Sequence, residues 1–343
     1  MALPVKLGSL AVSPLILAPM AGITDLPFRL ISRSFGCGLA FVEMISARAL
    51  VYRNRNTERM LATAPSDRPL GIQLLGNAPD VIKRALDIVR TYRFDMIDFN
   101  AACPASKVTG KGKGAGLLKD PARLRDLLKV IVDNSDAPVT VKIRTGWDET
   151  SINARDVALY AQDAGISALF IHGRTRSQRY SGRVDYGVIR EVKEALKIPV
   201  IASGDAFSPL LVERMFRETA CDGVAIARGA LGNPWIFRET EEYLERRVAP
   251  ERPDIGEIAE TMVRHLDLCT DFYGERVGTI LFRKFFAWYT KGISDMKPLR
   301  DKAFRAETRE QMVANIREFR ERASSSDDPS GTKKEAAIEW QAS

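Results

Sequence analysis

Apolar residues along this chain gather in short runs, and the stretches between them carry the spacing of amphipathic helices. The runs predict strands at Leu15–Ala18, Leu39–Val42, Leu70–Leu75, Met96–Asn100, Val139–Ile143, Ala168–Ile171, Val200–Ala202 and Gly223–Ile226. Helices are predicted between most of them, at Pro79–Tyr92, Pro121–Asn134, Asn153–Ala164, Tyr186–Leu196 and Pro209–Thr219. Strands that alternate with helices imply parallel βαβ units. Eight such units predict an α/β fold, a closed (β/α)8 TIM barrel, with an open doubly wound sheet as the second architecture. Leu7 to Leu17 reads as a first strand or two. Ser9, Ser13 and Pro14 interrupt it and little charge precedes it, so it is not read as a secretion signal.

The pattern changes after Val248, where Pro250 and Pro253 mark a break. Residues 254–322 read as helices only. The expected organisation is a catalytic barrel over residues 1–248, a small all-helical domain over 249–322 and a disordered tail over 323–343, where Ser324–Gly331 has little to bury.

Charge sharpens this picture. The formal net charge is +7 and the pI near 9.2, which favours an acidic partner such as nucleic acid. It is unevenly spread: Glu251 to Glu275 holds two basic and seven acidic residues, and Arg276 to Arg309 nine basic and three acidic. Arg283 and Lys284 share a predicted helix with Phe282, Phe285, Phe286 and Tyr289; the aromatics read as core and the cations as phosphate contacts. Four cysteines (Cys37, Cys103, Cys221, Cys269) lie far apart with no C-x-x-C pair, and the two histidines add no metal spacing. The expectation is a cytoplasmic, metal-free monomer with reduced thiols. No apolar stretch reaches the ~20 residues of a membrane span.

In a parallel barrel the active groups gather at the C-terminal strand ends. Gln73 and Lys142 interrupt apolar strands, Asn100 ends the fourth and His172 the sixth. A lysine inside a barrel wall costs several kcal/mol unless paired. Lys142 therefore either pairs with a buried carboxylate such as Asp98 or faces an electron-rich ligand, and the sequence leaves both open. Glycine turns follow the seventh and eighth strands, Ser203-Gly204-Asp205 and Ala227-Arg228-Gly229, where barrels often bind phosphate. Lys107 to Gly116 fits neither a P-loop nor G-x-G-x-x-G and reads as a flexible cationic loop. Just before it stands Cys103, in Asn100-Ala101-Ala102-Cys103-Pro104. It is a small buried residue, a nucleophile with His172 as base through the fold, or a general acid; free thiols titrate near ~8.5 and can donate a proton at neutral pH without tuning. Three basic runs share the rim: Arg48, Arg53, Arg55 and Arg59; Lys107, Lys111, Lys113 and Lys119; Arg174, Arg176, Arg179 and Arg183.

Several motifs in order resemble the flavin-dependent tRNA-dihydrouridine synthase family, most like its bacterial B-type members. They are Ala18-Pro19-Met20-Ala21-Gly22-Ile23-Thr24-Asp25, the Asn100–Pro104 element, Val141-Lys142-Ile143-Arg144-Thr145-Gly146-Trp147, Ile171-His172-Gly173-Arg174-Thr175, Arg228-Gly229-Ala230 with Asn233-Pro234-Trp235-Ile236, and Arg283-Lys284 with Trp288-Tyr289. The likeness covers about Leu15 to Arg322. It implies an FMN-binding barrel with a helical tRNA-binding domain, and NADPH-dependent reduction of the C5=C6 bond of a tRNA uridine. By position, it implies that Pro19, Met20 and Ala21 line the flavin and that Gln73 and Lys142 contact its pyrimidine edge. His172, Ser203, Gly204, Asp205, Ala227 and Arg228 would hold its ribityl phosphate. Asn100 would orient the base, Cys103 would donate the proton, and Lys107, Arg174, Arg176, Arg283 and Lys284 would contact the RNA. Three positions depart from the family pattern: Ala102 stands where glycine is usual, Ser203 where asparagine is frequent and Ala227 where glycine is frequent. The alternatives are a flavin barrel acting on a free pyrimidine or small enone, the same chemistry on ribosomal RNA, and an RNA-binding module without catalysis.

Overall fold

The computed structural model describes residues 3–325. The chain opens with an antiparallel hairpin, β1 (Val5–Leu7) and β2 (Leu10–Val12). Then follow β3 (Leu15–Leu17), α1 (Leu26–Arg33), β4 (Leu39–Phe41), β5 (Ile45–Ser46), α2 (Ala47–Val51), α3 (Arg55–Met60), β6 (Leu70–Leu75) and α4 (Pro79–Arg90). The next elements are β7 (Met96–Asn100), α5 (Ser106–Thr109), α6 (Pro121–Asp133), β8 (Val139–Arg144), α7 (Ala154–Asp163), β9 (Ala168–His172) and α8 (Tyr186–Ala195). β10 (Val200–Ser203), α9 (Pro209–Thr219), β11 (Gly223–Ile226) and α10 (Ile236–Arg246) complete the alternation. Four helices follow: α11 (Ile255–Tyr273), α12 (Glu275–Tyr289), α13 (Lys297–Ala303) and α14 (Arg309–Ser325). α14 carries the chain past residue 322; the rest of the expected tail, 326–343, lies outside the described residues.

From β3 to β11 every strand pairing is parallel, and β4 pairs with β6 to close the sheet into a barrel, which excludes the open doubly wound sheet. The second barrel strand is split. β4 meets β6 at Leu70 and Gly71, Val42–Met44 leave the ladder, and β5 rejoins it at Leu74 and Leu75. Helix starts are written in the sequence. Asp120 and Ser208 cap α6 and α9, each followed by proline, whose fixed φ and missing N–H suit the first turn. Asp254 caps α11 by accepting from the Glu257 N–H (2.7 Å).

Strand side chains alternate between two apolar regions. One lies inside the barrel: Ile16, Leu39, Phe41, Met96, Ala168, Phe170, Ile201 and Ala225, joined by Val5, Leu7 and Val12 of the hairpin. These residues fill the N-terminal half, and Phe41 and Phe170 meet edge to face at 5.6 Å. The other region lies between the strands and the helices, and continues without a break into α11–α14. Phe28 of α1 stacks on Phe285 of α12 at 5.6 Å, so the barrel and the helical region share one core. Among the described residues no helix is long and apolar enough to cross a membrane.

Candidate active site at the barrel mouth

The inward positions turn polar towards the C-terminal strand ends. Inward from β7 come Asp98 and Asn100, from β8 Thr140, Lys142 and Arg144, and from β6 Gln73. They form a buried hydrogen-bonded chain. Thr140 Oγ1 donates to Asp98 Oδ1 (2.7 Å) and Gln73 Nε2 to Asp98 Oδ2 (2.7 Å). Asn100 Nδ2 donates to Gln73 Oε1 (2.7 Å), and Asn100 Oδ1 accepts from the backbone N–H groups of Ala102 (3.1 Å) and Cys103 (2.8 Å). The chain runs from the barrel floor to the turn carrying the thiol. Burial pushes the Asp98 carboxyl up to about 6, against its two hydrogen bonds and the Lys142 charge.

Lys142 makes no ion pair with Asp98 within 4 Å, since both oxygens of that carboxylate are held by Thr140 and Gln73. Its Nζ donates instead to Ser203 Oγ (3.0 Å), which donates to the Ile171 carbonyl (3.1 Å). Burial pushes the ammonium down to about 8, with Asp98 opposing and Arg144 adding to the fall. Part of Lys142 still faces the mouth. A deep cation without a bonded counter-charge is arranged for a ligand.

Arg144 was not singled out from sequence, yet it organises the mouth. Its Nε donates to the Ala102 carbonyl (2.8 Å), and Nη1 to the carbonyls of Thr175 (2.9 Å) and Arg179 (2.8 Å). It thus ties the thiol turn to the loop after β9. Tyr180 of that loop, 57% exposed, lies 5.6 Å from the Arg144 guanidinium and 5.3 Å from that of Arg228. Parity could have found Arg144, two residues beyond Lys142 on the same strand face; nothing periodic marks Tyr180.

Cys103 is half-buried at the rim. Its carbonyl accepts from the Ala115 N–H (3.1 Å). The segment behind it is not the loose loop expected from its glycines and lysines. It folds as α5 and a 3₁₀ turn at Gly114–Lys119, with Ala115, Leu117 and Leu118 buried. Ala102 replaces the expected glycine without strain, because it is not among the residues with positive φ.

After β9, β10 and β11 the basic residues are braced. Arg174, only 3% exposed, forms a two-pronged ion pair with Asp205, and Arg228 reaches the same carboxylate at 2.9 Å. Arg174 therefore sits inside the wall and does not stand on the rim as expected. The glycines also have another reason than a ligand. A Cβ on Gly204 would lie 2.8 Å from Val184, and one on Gly229 would lie 1.9 Å from the Ala206 carbonyl oxygen, so loop packing alone demands them. Ala227 and Arg228 follow β11 at the same end. Arg176 rests 4.5 Å from the Trp147 ring, with Lys119 at 3.6 Å from it, and Lys107 is exposed on α5.

Pro19, Met20 and Ala21 form the turn after β3, where the Met20 carbonyl accepts from Ile23 (3.1 Å) and Thr24 (3.0 Å). The helical region holds this turn. Lys284 Nζ donates to the Gly22 carbonyl, Glu43 accepts from the Gly22 N–H, and Tyr273 donates to Asp25 (2.9 Å). Burial pushes both the Asp25 and Glu43 carboxyls up. Lys284 thus points at the barrel, and Arg283 donates to Ala306 O (2.8 Å) inside the helical region. Both are partly exposed and are held by backbone carbonyls rather than by carboxylates.

The mouth fits an anionic or electron-rich group. His172 Nε2 is buried with no partner among the described residues. Burial holds its pKa well down, helped by the charges of Arg144, Lys142, Arg174 and Arg228, so the ring is neutral in a cationic surround. Lys142, Gln73 and His172 are the groups placed to receive such a ligand. Among the described residues no cluster of three or more His, Cys, Asp or Glu side chains could hold a metal.

A closed parallel barrel with a thiol, a carboxamide and a lysine converging at one mouth defines an α/β-barrel enzyme. The family model for dihydrouridine synthase (Dus) matches residues 16–324. Among curated relatives, the "tRNA-dihydrouridine synthase B" of Xanthomonas campestris pv. campestris is 38% identical over 315 residues, covering 92% of this chain and 95% of the relative. That of Pasteurella multocida is 39% identical over 302 residues, covering 88% and 91%. Solved structures share the fold at low identity. Histamine dehydrogenase from Rhizobium sp. 4-9 aligns with a TM-score of 0.56 and 15% identity over 77% of this chain and 50% of that one. A variant of NCR from Zymomonas mobilis aligns with a TM-score of 0.52 and 14% identity over 74% and 93%. The chain belongs to the dihydrouridine synthase family and is an oxidoreductase.

Proposed function

We propose that this enzyme reduces the C5=C6 bond of uridines in tRNA to 5,6-dihydrouridine, with FMN as cofactor, NADPH as its reductant and Cys103 as proton donor to C5. Family membership and the substrate named for the relatives support the reaction and the tRNA. The observation that carries the site assignment is the hydrogen-bonded chain from Thr140 to Cys103, which fixes Asn100 and the thiol turn side by side at the mouth. The chemistry that bound, reduced FMN would supply is a hydride for C6.

The protein's own groups do the rest. Lys142 and Gln73 would receive the electron-rich pyrimidine edge of the flavin, and the positive charge of Lys142 would favour negative charge developing beside it. His172, Ser203 and Arg228 would hold its phosphate end. The Asn100 amide is locked by Gln73 and the turn N–H groups, so it orients rather than reacts. Cys103 transfers its proton to C5 as charge builds there, and its turn is pinned by Arg144 through the Ala102 carbonyl. A uridine must leave its stack to reach this depth.

Cys103→Ala should keep flavin bound and lose on the order of 10²–10⁴ in the rate of dihydrouridine formation on unmodified tRNA, read by mass spectrometry. Wild-type turnover in that variant would remove the thiol from the chemistry. Reduction of free uridine or of ribosomal RNA in preference to tRNA would redirect the substrate assignment.

A further inference from the structure

The segment following the second barrel strand carries a cluster of exposed arginines. Arg48, Tyr52, Arg53, Arg55 and Arg59 are all exposed on α2, α3 and the turn between them. Among the described residues, none of these four arginines lies within ion-pair distance of a carboxylate, whereas Arg276 pairs with Glu307 (3.3 Å), Arg309 with Asp267 (2.6 Å) and Lys302 with Glu318 (2.6 Å). Three of the nine basic residues of Arg276–Arg309 are paired with carboxylates in this way, and on α12 Arg283 and Lys284 are bonded to the carbonyls of Ala306 and Gly22; none of the four α2–α3 arginines is held by either kind of contact among the described residues.

Two further features suit a polyanion with flat bases. Tyr52 leaves 68% of its surface in solvent, with the Arg48 guanidinium 5.7 Å from its ring centre. Arg59 lies 5.7 Å from the ring of Tyr273 on α11, which makes the patch continuous with the helical region. Because α2 follows β5 directly, the patch stands at the same end of the barrel as Cys103.

We infer that α2–α3 is the surface that grips the RNA backbone, with the arginines on phosphates and Tyr52 as a stacking face for an unpaired base, while the α12 cations brace the fold. This rests on the reading that the substrate is an RNA. Four exposed cations outnumber the single acid of the segment, Glu58, and are stabilised by phosphate, and an aromatic face beside them accepts any base.

The test is equilibrium binding of unmodified tRNA across a salt series, using the full chain. Wild type should bind with a steep salt dependence. Arg53→Gln/Arg55→Gln should weaken binding roughly tenfold or more and reduce the slope of log K against log salt by about two. Tyr52→Ala should weaken binding by roughly tenfold and leave the slope unchanged. Arg125→Gln/Lys129→Gln on α6, away from the mouth, should alter neither. If the α2–α3 variants bind as wild type does, with unaltered thermal midpoints, the assignment is overturned and the RNA reading stands. If wild type itself shows no salt-dependent tRNA binding, both fall together.

Discussion

Lys142 links the chain's inner chemistry to a measurable pH effect. In the free protein its ammonium titrates near 8 because burial outweighs the attraction of Asp98. An electron-rich or anionic ligand stabilises the charged form, so its pKa rises on binding. Flavin affinity should therefore be level from pH 7 to about 8 and weaken above that, approaching tenfold per pH unit. Lys142→Met should bind more weakly and lose the bend. A fluorescence titration that stays level to pH 9.5 in the wild type would show that Lys142 does not face the ligand. At this scale much of the site was legible: Gln73, Asn100, Lys142 and His172 stand out as polar residues in or ending apolar runs. Arg144 was missed because the predicted strand stopped at Ile143, where the apolar run ends, while the ladder continues one residue further. β9 and β10 likewise gain His172 and Ser203. Arg174 was misplaced because sequence cannot show that Asp205, far along the chain, would draw it into the wall.

The eight strands and the helices between them were readable because each buried run is bounded by turn residues and each helix keeps one apolar face. β5 escaped notice. Its two residues pair only after Val42–Met44 have left the ladder, and Glu43 inside that break serves the turn after β3 rather than a strand. The composition of the glycine- and lysine-rich segment suggests a loose loop and does not reveal that Ala115, Leu117 and Leu118 anchor it. Among the helices α12 has the most at stake. Phe285 is 1% exposed, lies 4.3 Å from the His265 ring and stacks on Phe28 across to α1. Phe285→Ala should cost about 3–5 kcal/mol, seen as a lower denaturant midpoint. A loss below 1 kcal/mol would mean that the helical region contributes little to holding the barrel.

For the molecule as a whole, the break at Pro250 and Pro253 was visible in the sequence, but the common core was not. Phe28 and Phe285 meet only because α1 and α12 are brought together by the fold, and no local pattern records that. The β1–β2 hairpin has a wider consequence. Val5, Leu7 and Val12 pack among Phe41, Met96 and Phe170, with the turn at Gly8 against Pro138 and Ser167, so the lower end of the cylinder is stoppered. On the proposed function, a nicotinamide and an RNA would both have to approach from the opposite end, where Cys103 and Lys142 lie. Sharing that approach, they would take turns: the reductant would load the enzyme and leave before the nucleic acid enters. Initial rates measured with both varied should fall on parallel double-reciprocal lines, and lines that converge would mean a second way in.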